Sequence, residues 1–166
     1  MLLRDLLNEA PREQRGAVVP LALQQLLRAD LDVSQDWETA EQILLQAREA
    51  LPECLEIQVA LYKLYAYSNR FEESLALITT VQASAACREG FDADWRMLQP
   101  ESAAWYPAEG AVRHYLYALK AMGFVSLRRG DLATANAVLA KLASLDPRDQ
   151  VGGSVVLEMA ERLNDE

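Results

Sequence analysis

The amino-acid sequence predicts an all-α fold built from stacked antiparallel helical hairpins. Alanine and leucine dominate an apolar content of 51%, β-branched residues are sparse, and there are only 7 glycines and 6 prolines. This composition favours helices and argues against disorder. Apolar residues recur at the three- and four-residue spacing of a buried helical stripe, and one local pattern occurs three times along the chain.

The repeated pattern begins with a turn-forming residue and a bulky apolar residue, followed three positions later by a small residue. The small residues are Ala40, Ser74 and Ala135, and an amphipathic helix continues from each. The first and third of these helices run into Pro52 and Pro147, and proline forces the residue before it away from the helical conformation.

The spacing of the small residues indicates a repeat array. Ala40 and Ser74 are 34 residues apart, and Ser74 and Ala135 are 61 apart, which is the same period plus 27. A second amphipathic helix precedes each turn, and one such hairpin cannot cover its own apolar face. We therefore predict a single domain over 1–166, with hairpins at about 21–54, 55–88 and 116–149, an irregular insertion at about 89–115 and a C-terminal capping helix at about 154–164.

The third hairpin resembles a known family. Its pattern consists of Leu119, Met122-Gly123, Gly130-Asp131-Leu132, Ala135, Leu139 and Leu145-Asp146-Pro147, and it is similar to the tetratricopeptide repeat (TPR), whose period is 34 residues. Gly123 and Ala135 would let the two helices approach closely. The second hairpin departs from the family pattern, with Tyr62 for glycine and Ser74 for alanine. The resemblance implies a TPR-like α-solenoid that binds other proteins.

The insertion mixes turn residues with large aromatic side chains, which favours an ordered loop. Two interpretations of Trp95 and Trp105 stay open. Both indoles would cap the core between the second and third hairpins, or one would be presented to a partner, since aromatic residues anchor many interfaces.

No arrangement for catalysis or metal binding is evident in the sequence. His114 is the one histidine and is predicted to be structural. Cys54 and Cys87 make a poor metal site, because two thiols lack the further ligands that a metal needs. They are predicted instead to be buried small apolar residues. A solvated acidic face is predicted for Glu38, Glu41, Glu49, Glu53, Glu72 and Glu73. We therefore predict that the protein is not an enzyme and has no cofactor.

Charge restricts the class of partner. The formal net charge is −9, from 16 basic and 25 acidic residues, which disfavours nucleic acid and anionic membranes. The N-terminus has no signal-peptide pattern, and no apolar run approaches the roughly 18 residues of a membrane span. We expect a cytoplasmic protein with a protein partner.

The partner surface is expected on the first helix of each hairpin, at residues outside the buried stripe. In the second hairpin these are Glu56, Val59, Lys63, Ala66 and Tyr67, in the third they are Tyr117, Lys120, Phe124, Leu127 and Arg128, and the weaker first-hairpin equivalents are Gln25 and Ala29. Aromatic residues mixed with basic ones suit an extended or helical peptide that carries carboxylates. Alternatively, Tyr67 and Phe124 fill gaps between hairpins.

A narrower resemblance concerns the segments His114–Phe124 and Leu145–Val155. They resemble small TPR proteins encoded among bacterial nitrogen-fixation genes, which include nitrogenase-associated factors. This resemblance implies binding to the molybdenum-iron component of nitrogenase during its assembly, protection or repair. Two alternatives remain: a generic TPR scaffold, or a chaperone for type III secretion translocators, whose repeats run on without a comparable insertion.

Overall fold

A computed structural model describes residues 35–165, and all the regular secondary structure within that range is helical. It forms no strand there, which confirms the all-α prediction. The helices are α1 (Trp37–Ala50), α2 (Leu55–Tyr67), α3 (Phe71–Glu89), α4 (Gly110–Arg128), α5 (Leu132–Leu145) and α6 (Gly153–Asn164). The predictions for the first helix of the first hairpin, including Gln25 and Ala29, lie outside the described residues.

The chain divides into two compact units between Leu77 and Ile78, inside α3. Two 3₁₀ turns, Trp95–Met97 and Pro100–Ser102, follow α3. Helix α4 already begins at Gly110, within the segment predicted as insertion. No described helix is both long and apolar enough to cross a membrane.

In the first unit, α1 packs against α2 through small and branched side chains. The carboxylate of Asp36 starts α1 by accepting the backbone N–H of Thr39 at 3.1 Å and its hydroxyl at 2.7 Å, which satisfies donors that the first turn leaves open. The helix ends just before Pro52, as predicted. The packed residues are Ala40, Leu44, Ala47, Cys54, Ile57, Ala60, Leu61, Leu64 and Tyr65.

Ser74 shows why the second hairpin tolerates serine at its small-residue position. The side chain is completely buried. Its hydroxyl donates a hydrogen bond of 2.8 Å to the backbone carbonyl of Tyr62 in α2. Serine is therefore small enough for close helix packing, and its polar atom is satisfied.

A partly buried ion network links the start of α3 to α1 and α2. Glu41 accepts hydrogen bonds from the Tyr65 hydroxyl at 2.9 Å and from Arg70 Nη1 at 2.7 Å. Arg70 also pairs with Glu73, and its guanidinium carbon lies 5.0 Å from the ring centroid of Trp37 and 4.6 Å from that of Tyr65. The Arg70 side chain is thus held by charge and by ring stacking together.

Because of this network, Glu41 does not belong to the solvated acidic face, and the prediction for this residue is wrong. The Glu41 side chain is only 17% exposed, whereas the other five glutamates of that set are exposed, as predicted. Burial raises the pKa of Glu41, but the hydrogen bonds from Arg70 and Tyr65 and the charge of Arg70 outweigh it and hold the pKa below its usual value. Burial and the nearby Glu41 carboxylate raise the pKa of Tyr65 to about 12.

The second unit is built around α5, which packs against both α4 and α6. Gly130 adopts a φ of 81° in the turn between α4 and α5, and Asp131 caps α5 by accepting the backbone N–H of Thr134 at 3.1 Å. At Gly123 of α4, an added Cβ would lie only 2.6 Å from Leu139 Cδ2. The predicted close approach of the two helices at Gly123 is therefore confirmed.

Gln150, in the turn between α5 and α6, fastens the end of the insertion. Its amide oxygen accepts the backbone N–H of Ala108 at 2.7 Å. Its amide nitrogen donates to the Trp105 carbonyl at 2.8 Å and to Asp146 Oδ1 at 3.0 Å. One side chain thus satisfies two backbone groups of the insertion, which orders it.

The Glu41 network makes stability depend on pH. The folded-state pKa of Glu41 is depressed, so its contribution is present above the unfolded-state pKa of about 4.3 and is lost as the pH falls through the folded value. We expect Glu41→Gln to lower the free energy of unfolding by about 1 kcal/mol at neutral pH, and to flatten its decline with acid. Urea unfolding at several pH values measures both effects, with exposed Glu38→Gln as the control. Equal acid sensitivity of wild type and Glu41→Gln would contradict the assignment.

Close packing at Gly123 predicts a steric penalty. We expect Gly123→Val to lower the free energy of unfolding by about 2 kcal/mol, because its side chain must displace Leu139 in a filled core. Ala137→Val, at an exposed position of α5, measures the cost of valine in a helix alone and should have a much smaller effect. Denaturant unfolding followed by far-UV circular dichroism gives both values, and equal losses would refute the contact.

Candidate functional site

The α4 stripe is a row of basic and aromatic side chains that repeats every three or four residues along one face of α4. It consists of Arg113, Tyr117, Lys120, Phe124 and Arg128. Arg128 is exposed and the other four are half-buried. Four of the five are predicted binding residues that the helix brings together, namely Tyr117, Lys120, Phe124 and Arg128, and Arg113 is an addition from the structure.

Each cation of the α4 stripe lies against an aromatic ring. The Arg113 guanidinium carbon and Lys120 Nζ are each 5.3 Å from the centroid of Tyr117. The Arg128 guanidinium carbon is 5.9 Å from the centroid of Phe124. Such contacts restrict the long side chains before any partner arrives, so less entropy is lost when they bind.

The α4 stripe concentrates positive charge in an acidic chain. The pKa of Asp149 is lowered mainly by hydrogen bonds from Ser154, and the positive charge of Lys120 also lowers it. Arg113 Nη1 lies 3.5 Å from the carbonyl of Gln150, at the edge of hydrogen-bonding distance. The stripe therefore offers cations and ring faces that suit carboxylate-bearing protein segments.

A second predicted row lies on α2, in the other unit, and is less basic. Tyr67 is 56% exposed, while Lys63 and Glu56 are half-buried. Glu56 accepts a hydrogen bond from the Cys54 thiol at 3.3 Å.

Three residues predicted for the partner surface are buried instead. Val59, Ala66 and Leu127 are at most 8% exposed. The expectation that they face a partner is wrong, because the buried face of each helix is wider than the apolar stripe that the sequence pattern marks.

Both tryptophans of the insertion are buried, which favours their structural interpretation over presentation to a partner. Trp95 is 9% exposed and Trp105 is 5% exposed. The Trp105 ring centroid lies 5.1 Å from that of Phe91 and 6.2 Å from that of Tyr115, and its Nε1 donates to the Gln99 carbonyl at 3.2 Å. These side chains fill the core of the insertion.

The insertion exposes other apolar residues that the sequence did not single out. Met97 is 64% exposed and Tyr106 is 56% exposed, with the Arg148 guanidinium carbon 3.8 Å from the Tyr106 centroid. Trp105 and Tyr106 are neighbours in a non-helical segment, yet the first ring is buried and the second is exposed.

The two cysteines differ in environment. Cys54 is buried, as predicted, and burial raises the pKa of its thiol to about 11. Cys87 is exposed, so its predicted burial is wrong. It lies near the end of α3, where the sequence pattern does not reveal how many neighbours cover the last turn.

Among residues 35–165, no cluster of three or more histidine, cysteine or acidic side chains is arranged to hold a metal ion. His114 is buried within α4.

Comparison with known proteins finds one informative similarity. The 19.8 kDa protein in the nifW 5′ region of Azotobacter chroococcum mcd 1, itself described as uncharacterized, is 34% identical over 124 residues. The aligned region covers 73% of this chain and 69% of the relative. No family model matches the chain, and no solved structure matches it significantly.

The burial of Trp105 predicts a role in stability. We expect Trp105→Ala to lower the free energy of unfolding by about 3 kcal/mol, since a large buried ring leaves a cavity. The adjacent and exposed Tyr106→Ala should cost less than about 1 kcal/mol. Urea titration followed by circular dichroism compares the two variants, and a Trp105→Ala protein as stable as Tyr106→Ala would refute the structural role.

Proposed function

Because the chain belongs to the family of the 19.8 kDa Azotobacter chroococcum protein in the nifW 5′ region, we propose that it is a protein-binding factor of nitrogen fixation. Its proposed partner is the molybdenum-iron component of nitrogenase, which it binds as an adaptor or chaperone during assembly, protection or repair. The relative's nitrogen-fixation context supports the process, and the narrower sequence resemblance supports the partner. Binding, rather than catalysis, is the proposed activity.

We further propose that the helices form TPR-like stacked hairpins. In this arrangement α1 completes the first repeat, α2 and α3 form the second, α4 and α5 form the third, and α6 follows the third. The 34-residue spacing of Ala40 and Ser74 supports it. The packing of α1 on α2 and of α4 on α5 also supports it.

The α4 stripe is the observation that carries the proposal of protein binding. Arginine and aromatic side chains are enriched at protein interfaces, where rings supply contact area and cations supply orientation. In the α4 stripe the two kinds of side chain are already stacked on one another. An acidic segment of the partner would meet both at once.

The experiment is a binding assay with purified molybdenum-iron protein, preceded by affinity capture from nitrogen-fixing cells. The immobilised full chain should recover nitrogenase subunits. The double variant Lys120→Glu plus Arg128→Glu should weaken binding by roughly ten- to a hundredfold, because it reverses two of the cations that face the partner. Surface plasmon resonance measures the affinity, and rising salt should weaken the wild-type complex.

A matched control is Arg88→Glu plus Arg96→Glu. Both residues are exposed and lie outside α4, and Arg88 is in the last turn of its helix, as Arg128 is. This control changes the net charge equally, so it separates a local effect from a global one. Circular dichroism verifies the helical content of each variant.

Two outcomes would contradict the proposal. Recovery of secretion translocators without nitrogenase subunits would favour the chaperone alternative. Equal weakening by the control variant would show that overall charge, not the α4 stripe, drives binding.

A further inference from the structure

Helix α6 exposes three large apolar side chains in a single row. Val155, Met159 and Leu163 are 58%, 43% and 44% exposed. Their four-residue spacing puts them on one helix face, which we call the α6 stripe. The face beside it packs into the second unit through Val156 and Ala160.

The row is unlike the other exposed apolar residues of the described chain. Tyr67, Met97 and Tyr106 are exposed singly, each on a different segment, and scattered residues of that kind are normal on a protein surface. A continuous apolar row along a helix is instead the pattern that packs against another helix.

Charged residues flank the α6 stripe on one side. Glu158 and Arg162 are both exposed and lie four residues apart, so they share a face next to Met159. The acid precedes the base along the helix. The flank is therefore self-complementary when a second identical helix runs in the opposite direction.

We propose that the α6 stripe is the surface on which a second copy of this chain docks, with the two α6 helices antiparallel. A two-fold axis near Met159 makes the contact isologous. Val155 of one copy then lies opposite Leu163 of the other. The flanks of the two helices fall on the same side of the contact, so Glu158 of each copy meets Arg162 of the other.

The antiparallel direction follows from the charges. In a parallel pair related by an axis along the helices, the two flanks would lie on opposite sides of the contact and their charges would not meet. The area of three side chains and two ion pairs is small, so the dimer is a weak one whose population depends on concentration. This inference goes beyond the proposed function and does not involve the α4 stripe.

Sedimentation velocity of the full chain over a wide concentration range tests the dimer. The wild type should shift from monomer to dimer as concentration rises. Met159→Glu places two carboxylates at the axis and should raise the dissociation constant by at least about tenfold. Met97→Glu, on the exposed methionine of the insertion, is the control and should leave it unchanged.

A charge swap tests the pairing. Glu158→Arg alone and Arg162→Glu alone should each weaken the dimer, because like charges then face each other. The double variant should restore it, because the swapped flank is again self-complementary. Failure of the double variant to recover would overturn the pairing.

Cross-linking tests the direction in a Cys87→Ser background, which removes the exposed thiol. Met159→Cys should form an intermolecular disulfide on mild oxidation, since the axis brings the two positions together. Val155→Cys should not, because an offset of four residues on each helix separates the two positions by roughly 12 Å. These conservative variants preserve the helix even where Met159→Glu does not.

Three results would overturn the proposal: a wild type that stays monomeric at every concentration, a Met159→Glu variant that dimerises as wild type does, or equal cross-linking at both positions. Nitrogenase binding by the wild type and by Met159→Glu is measured in parallel. Loss of dimerisation with retained binding would separate this surface from the α4 stripe.

Discussion

The packing of two leucines of α5 against two glycines sets the geometry of the second unit. Leu139 fills the space beside Gly123 of α4, and Leu142 fills the space beside Gly153 of α6. Without a Cβ on either glycine, both helices come close to α5 and bury each leucine almost completely, which stabilises the fold by about 1.5–3 kcal/mol per side chain. The directions in which α4 and α6 present their remaining faces are thereby fixed.

Much of this fold follows from local signals in the sequence. Helical periodicity predicts all six described helices, and the caps at Asp36 and Asp131 begin two of them as side-chain chemistry requires. Gly123 is a position where the predicted reason, a close helix approach, is the observed one. Periodicity and caps need only neighbours along one helix or one turn, and the close approach at Gly123 follows from the resemblance of the third hairpin to the repeat.

What the sequence does not reveal is how far each element is covered by others. Val59, Ala66 and Leu127 lie at the edge of an apolar stripe, and whether an edge residue is buried depends on the tertiary neighbours. The exposure of Cys87 and the burial of Trp105 beside exposed Tyr106 depend on the same neighbours. For the candidate site, the periodicity predicts that Tyr117, Lys120, Phe124 and Arg128 share a face, but the stacking of cations on rings emerges only in three dimensions.

The insertion shows how an irregular segment becomes part of a helical fold. Two of its backbone carbonyls accept hydrogen bonds from side chains of α5 and of the turn after it. Lys141 Nζ donates to the Leu98 carbonyl at 2.6 Å, and the Gln150 amide donates to the Trp105 carbonyl at 2.8 Å. Deleting the segment would strand a partly buried ammonium and amide without these acceptors, and such groups are costly when unsatisfied. Among relatives, we therefore expect Lys141 and Gln150 to be present where the insertion is present and to be replaced where it is absent.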